Sequence, residues 1–195
     1  MWRKNRSPST DGPCIGTDLN RNSDVAWGTQ GASDNTCSNS YHGVAPFSEP
    51  SMQSWVNYYD AARNSSELYA YISMHSYAQK IISAWAVAPE VFPDAPFSID
   101  LMNESGRRIS EAMTAEHNVE YTYGQSRDIL YPSSGTSKDY LLHEWGVPLS
   151  WTWELRDTGD FGFLLPENQI QPQWDEVKAG LNQLLQYIKE HTIHQ

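Results

Sequence analysis

A chain of 195 residues with 39% hydrophobic residues, 8 Trp and 11 Tyr has the apolar bulk for one domain with a real core, and is too rich in such residues to stay disordered. Asp and Glu number 24 against 13 Lys and Arg, a formal net charge of −11; that balance excludes nucleic acid and a polybasic grip on an anionic membrane as ready partners. No run approaches the ~18 apolar residues of a membrane span, and no apolar stretch follows Met1-Trp2-Arg3-Lys4 as a secretory leader requires. For a secreted protein that absence predicts a chain incomplete at its start, and the Asn-x-Ser triplets at Asn5, Asn64 and Asn103 are weak support for secretion.

Residues 1–45 are rich in Ser, Gly, Asn, Asp and Pro and read as long loops around one short strand, Cys14 to Asp18. Ser48 has the chemistry of a helix N-cap, with Glu49 and Pro50 in the first turn, which predicts a helix from Glu49 to about Arg63. Leu68 to Ser73 is an apolar, β-prone run that ends at Met74-His75-Ser76-Tyr77 and reads as a strand buried on both faces; Lys80 to Trp85 reads as a second. Leu101, Ser105, Ile109, Ala112 and Met113 share one helical face, so a helix is predicted from about Ser98 to His117.

Val119 to Tyr123 is a short strand, Tyr131-Pro132-Ser133-Ser134-Gly135 a loop, and Thr136 to Trp145 a helix closed by Gly146. Val147, Leu149, Trp151 and Trp153 then alternate with Pro148, Ser150, Thr152 and Glu154, the period of a strand, which puts Glu154 on the face opposite the two tryptophans. A last helix aligns Trp174, Val177, Leu181, Leu184 and Ile188. Strands alternating with helices define an α/β class, with a mixed, mostly parallel sheet flanked by helices. Ligands in such sheets gather at the carboxyl ends of strands, where His75 and Glu154 both fall. Taken singly, each has an ordinary reading: a histidine buried by hydrogen bonding, and a glutamate paired with Arg156. Cys14 and Cys37 are equally compatible with free buried thiols.

Five ordered motifs carry more: MWRK at 1–4, TDLNRN at 17–22, SMHSY at 73–77, ILYPSSGTSKD at 129–139 and TWELRDTGDFGFLLP at 152–166. In that order and spacing the chain resembles the zinc metallocarboxypeptidases of the carboxypeptidase A/B family, which remove one residue from the carboxyl terminus of peptides. The resemblance implies that residues 1–195 are roughly the last two thirds of one catalytic domain, without a prodomain. It implies one Zn2+ held by two His and one Glu with water in the fourth position. His75 matches the second histidine. The other two ligands belong to an HxxE segment that nothing in this sequence matches, so the isolated chain is expected to hold zinc weakly and to aggregate through open sheet edges and bared apolar surface. His42, His117, His143, His191 and His194 match no ligand position and read as structural or surface residues.

By the same resemblance Glu154 is the general base that moves a proton from the attacking water to the leaving amine. Arg3 steadies the oxyanion of the tetrahedral intermediate. Asn20 and Arg21 clamp the substrate's terminal carboxylate, which a guanidinium fork fits bidentately. Tyr131 closes over the bound residue. Tyr77 and Phe163 match cleft aromatics, with ordinary core packing as the alternative. Cys14 and Cys37 match a disulfide of the secreted branch, which implies an oxidising, extracellular compartment.

Lys138, seven positions after Tyr131, falls on the floor of the specificity pocket. An ammonium there calls for an acidic substrate side chain and repels a basic one, and the surrounding sequence is closest to the carboxypeptidase O-like, acidic-specific members. The expectation is release of C-terminal Glu or Asp from peptides and proteins by a monomer. If Asp139 neutralises Lys138, or Lys138 turns to solvent, a carboxypeptidase A-like taste for apolar termini follows. Two readings from other classes stand beside the enzyme. One is a non-catalytic truncated product acting as a binding or interaction protein; the other is a glycan-binding module built on the many Trp and Tyr.

Overall fold

The alternation at 147–154 sorts the molecule into two sides of one sheet. The computed structural model describes residues 1–62, 68–87 and 99–191. In chain order the helices and strands among them are α1 (Pro50–Ala62), β1 (Ala70–Ser76), β2 (Lys80–Ser83), α2 (Ile99–His117), β3 (Thr122–Gln125), α3 (Ser126–Ile129), α4 (Ser137–Trp145), β4 (Leu149–Leu155) and α5 (Ile170–His191), with single 3-10 turns at Leu19–Arg21 and Glu167–Gln169. The four strands run in the order β1-β4-β2-β3. β1 is parallel to β4 and β2 to β3, while β2 and β4 are antiparallel, so the sheet is mixed and mostly parallel, as the α/β pattern predicts.

On one face of β4, Trp151 and Trp153 are buried beneath α2 and α5. Their bulk dictates glycine on the facing helices: a Cβ at Gly106 of α2 would come 2.8 Å from the Trp151 ring. Ile81, Met102, Ile109, Met113, Val177, Leu184 and Tyr187 complete this core. On the other face, the Ser150 hydroxyl donates to the Lys138 carbonyl at 2.7 Å, which docks α4 against β4. Thr136 caps α4 by accepting the Asp139 N–H, and Gly146 ends it at φ 65° in the left-handed region.

Several sequence expectations shift. Cys14–Asp18 is not a strand: Gly16 turns left-handed at φ 84°, and the segment is held by scattered backbone bonds to Asn5, Ser7 and Tyr41 instead of a ladder. β1 is half-buried, not buried on both faces, because β4 is its only strand partner among the described residues. β3 begins at Thr122, which leaves Tyr121 free to turn inward and donate its hydroxyl to Glu176. On α5, Trp174 is exposed and the buried line runs Val177, Gly180, Leu184, Tyr187 with Glu176 beside it. The expected ends of α1 at Arg63 and of α2 at Ser98, with Asn64 and His194, lie outside the described residues. Cys14 and Cys37 form a disulfide. No helix among the described residues is long and apolar enough to cross a membrane.

Candidate active site

β1 and β4 lie in parallel register with His75 opposite Glu154, so both side chains emerge at the same carboxyl end of the sheet. Strand period then chooses their neighbours. Two residues back on the same faces stand Ser73, whose Oγ lies 3.0 Å from His75 Nε2, and Thr152, which lines the same hollow as Glu154. His75 Nδ1 is 3.5 Å from Glu154 Oε1.

Around these two, four further segments close a hollow lined by Arg3, Asn20, Arg21, Tyr131 and Lys138 as well as His75 and Glu154. The 3-10 turn Leu19–Arg21 exists because Asp18 caps it, accepting the Asn20 N–H at 3.1 Å on one carboxylate oxygen; the other accepts Arg3 Nε at 2.8 Å. One buried carboxylate thus fixes both arginine-bearing segments. Arg21 is buried; its Nε donates to the Gly31 carbonyl at 2.9 Å and Nη1 to the Asn20 carbonyl at 2.6 Å. It has no carboxylate within ion-pair distance among the described residues. The Asn20 side-chain oxygen accepts the Ser137 N–H at 3.1 Å, which commits its carbonyl end and leaves the amide nitrogen to the hollow.

Lys138 is fully buried in the first turn of α4, with Nζ 3.3 Å from Asp139 Oδ1 and 3.4 Å from Thr136 Oγ1. Burial pushes its pKa down, opposed by Asp139 and reinforced by Arg21. Asp139 is a shared partner, since both its oxygens also accept the Ala86 N–H, at 3.1 and 2.9 Å. The lining therefore carries three cations, Arg3, Arg21 and Lys138, against the single carboxylate of Glu154, on a chain of net charge −11. Such a hollow concentrates anions.

Tyr77 and Phe163 do not line this hollow. They pack edge to face on each other, ring centroids 4.9 Å apart, and Phe163 borders a neighbouring depression with Met1, Trp2, Arg3 and Asn39. Sequence reasoning named Asp139 only as a residue that could neutralise Lys138, and gave no site role to Asp18, Ser73, Thr136, Ile82, Ser126, Leu130, Ser133 or Thr152. Ser73 and Thr152 were open to it through strand period; the others come from β2, α3, loops and a helix cap that only the fold brings in. His42, His117, His143 and His191 lie elsewhere, His42 against Trp27 and Tyr41 and His191 on Tyr187.

A mixed α/β sheet thus presents His, Glu, Arg and Lys in one anion-receiving hollow at its strand ends, the usual place of a ligand site in such folds. The profile of the zinc carboxypeptidase family matches residues 1–180, and the chain belongs to that family. Human carboxypeptidase O is 37% identical over 185 residues, 95% of this chain and 48% of that protein. Bovine carboxypeptidase B is 37% identical over 192 residues, 98% of this chain and 44% of that protein. Bovine thrombin-activatable fibrinolysis inhibitor, solved in complex with a tick carboxypeptidase inhibitor, superposes with a TM-score of 0.88 at 36% identity, over 98% of this chain and 63% of that one. The chain spans about half the length of the curated relatives it matches.

The family implies zinc. Among the described residues no group of three or more His, Cys, Asp and Glu could hold a metal ion. His75 offers one nitrogen toward Glu154 while the other is engaged by Ser73, and a single imidazole beside one carboxylate falls short of a three-ligand site.

Proposed function

We propose that the whole protein is a zinc-dependent carboxypeptidase that hydrolyses the last peptide bond of a chain and prefers C-terminal Glu or Asp. What supports the reading is the convergence of Arg3, Asn20, Arg21, His75, Tyr131, Lys138 and Glu154 on one hollow with an excess of positive charge. In this reading His75 is one of three metal ligands, the other two coming from outside these 195 residues. Arg21 and Asn20 receive the terminal carboxylate. Glu154 takes the proton of the attacking water and returns it to the leaving amine. Arg3, held by Asp18, faces the oxygen on which negative charge develops. Tyr131, half-exposed at the rim, covers the bound residue. Tyr77 and Phe163 flank the approach of the peptide. The disulfide fits an extracellular setting.

A C-terminal Glu carries two carboxylates, and the hollow offers a separate cation for each. Arg21 has no carboxylate partner among the described residues, and Lys138 has only a shared one. An apolar preference draws on one observation, the 3.3 Å approach of Lys138 to Asp139, which supplies the ammonium with a charge of its own. The deciding measurement is kcat/KM of the complete enzyme for peptides that differ only in a terminal Glu, Leu or Lys, before and after Lys138→Asp. The expected result is a preference for Glu that reverses toward Lys. Equal use of Glu and Leu by the unaltered enzyme, or an order unmoved by the substitution, defeats the acidic assignment.

A further inference from the structure

His75 has two ring nitrogens, and the fold gives each a different neighbour. Nδ1 lies 3.5 Å from Glu154 Oε1; Nε2 lies 3.0 Å from Ser73 Oγ. An ionised carboxylate only accepts hydrogen bonds, so the nitrogen beside it is the one favoured to carry the proton. That leaves a lone pair on Nε2, and a lone pair needs a donor. The Ser73 hydroxyl is that donor. Tyr71, Ser73 and His75 occupy alternate positions of β1 and so lie in one row on one face. Within that row the Ser73 hydroxyl meets Nε2 of the His75 ring, whose Nδ1 faces Glu154.

We infer that Ser73 is a positioning residue for the catalytic hollow: it holds the His75 ring by Nε2, so that Nδ1 stays turned toward Glu154. The physical reason is that an imidazole can turn over about its bond to Cβ, and the two orientations put different atoms into the hollow. A carbonyl or carboxylate at position 73 could accept only from an N–H; a hydroxyl donates to Nε2 here and still accepts if the ring's proton moves to that nitrogen. The row therefore tolerates either tautomer while fixing one orientation. Its importance for catalysis rests on the reading of His75 under Proposed function; its geometry does not.

The test reads the ring itself in the 195-residue chain, by long-range proton–nitrogen NMR correlations of His75 at a pH where histidine is neutral. The expected spectrum shows a protonated Nδ1 and an Nε2 that accepts a hydrogen bond. Ser73→Ala should move the Nε2 signal to that of an acceptor without a donor, with the other imidazoles unmoved; Ser73→Thr, which keeps the hydroxyl, should restore it. Protonated Nε2 in the unaltered chain overturns the donor order, and an Nε2 signal indifferent to Ser73→Ala overturns the role of Ser73. If Ser73→Ala fails to fold, the unaltered chain and Ser73→Thr still decide: a non-hydrogen-bonded Nε2 in either refutes the inference. Since no peptide need be cleaved, a negative result here is separable from a failure of the carboxypeptidase reading.

Discussion

Glu154 is the residue whose removal separates chemistry from folding. Among the described residues its one ion-pair neighbour is the His75 ring at 3.5 Å, and its side chain makes no hydrogen bond that holds an element in place. Glu154→Gln keeps shape and volume and removes the carboxylate we propose as the base. In the complete enzyme it should lower kcat by ~10²–10⁴-fold with KM little changed, while the melting temperature stays put. Lys138 makes a different prediction, with a pH sign. Burial lowers its pKa below the ordinary 10.5, so its cation is present below that lowered value and disappears as pH rises through it. Selectivity for a terminal Glu over Leu should therefore decay on the alkaline side before an ordinary lysine titrates, a decay absent in Lys138→Met. The same shift means the unfolded chain binds the proton more tightly, so this residue favours the fold more as pH climbs across that window.

Elements are held around the site by polar ties as much as by apolar packing. The loop after β4 is the plainest case. Arg156 turns away from the hollow and binds the fully buried Glu176 of α5, with Nε 2.9 Å from Oε2, and also reaches Gln169 at 3.0 Å. Tyr121, just before β3, donates to the same carboxylate at 2.9 Å. One residue on, Asp157 accepts the N–H groups of Gly159, Phe161 and Gly162 and so shapes the loop that carries Phe163. Two residues past Glu154 the chain is thereby anchored to the helical face of the sheet. Breaking one partner of a buried pair strands the other, at about 3–5 kcal/mol. Glu176→Gln should destabilise the chain by that order in urea denaturation, whereas the double change Arg156→Met with Glu176→Leu should recover most of the loss.

Across the whole molecule, the long N-terminal loop region is kept in place by few apolar contacts and many specific ones. Glu49, buried at the foot of α1, accepts from Asn5 at 2.5 Å, Thr17 at 2.9 Å and Ser48 at 3.2 Å. Burial alone would raise its pKa, but the hydrogen bonds from Asn5, Ser7, Thr17 and Ser48 prevail and hold it below the usual carboxylate range. The Cys14–Cys37 disulfide closes a loop of sequence separation 23 in this region. A loop of that size restricts the unfolded chain by roughly 3 kcal/mol. Reduction should lower the melting temperature by about 10 °C in a domain of this length, and because Asn20 and Arg21 sit in the loop it closes and Asp18 of that loop holds Arg3, the hollow should loosen first. Faster hydrogen exchange at the backbone of 3–21 than in β4 on reduction is the measurement that checks it.

What the sequence determined by itself were the features with a short period or a local cap. The alternation at 147–154 separated Trp151 and Trp153 from Glu154, and the Thr136–Gly146 signals bounded α4; both hold because neighbouring residues decide them. The ordered motifs singled out Arg3, Asn20, Arg21, His75, Tyr131, Lys138 and Glu154, which the fold brings to one hollow, but also Tyr77 and Phe163, which do not line it. Only tertiary structure decided that Asp18 would hold Arg3 and the Leu19–Arg21 turn together, that Asp139 would stand 3.3 Å from Lys138 while also binding Ala86, and that Tyr77 and Phe163 would lie beside the hollow. Those contacts join residues whose meeting depends on where loops cross and which strand takes the sheet's edge. A local pattern carries no information about either, because burial and pairing across the sheet are properties of the assembled chain.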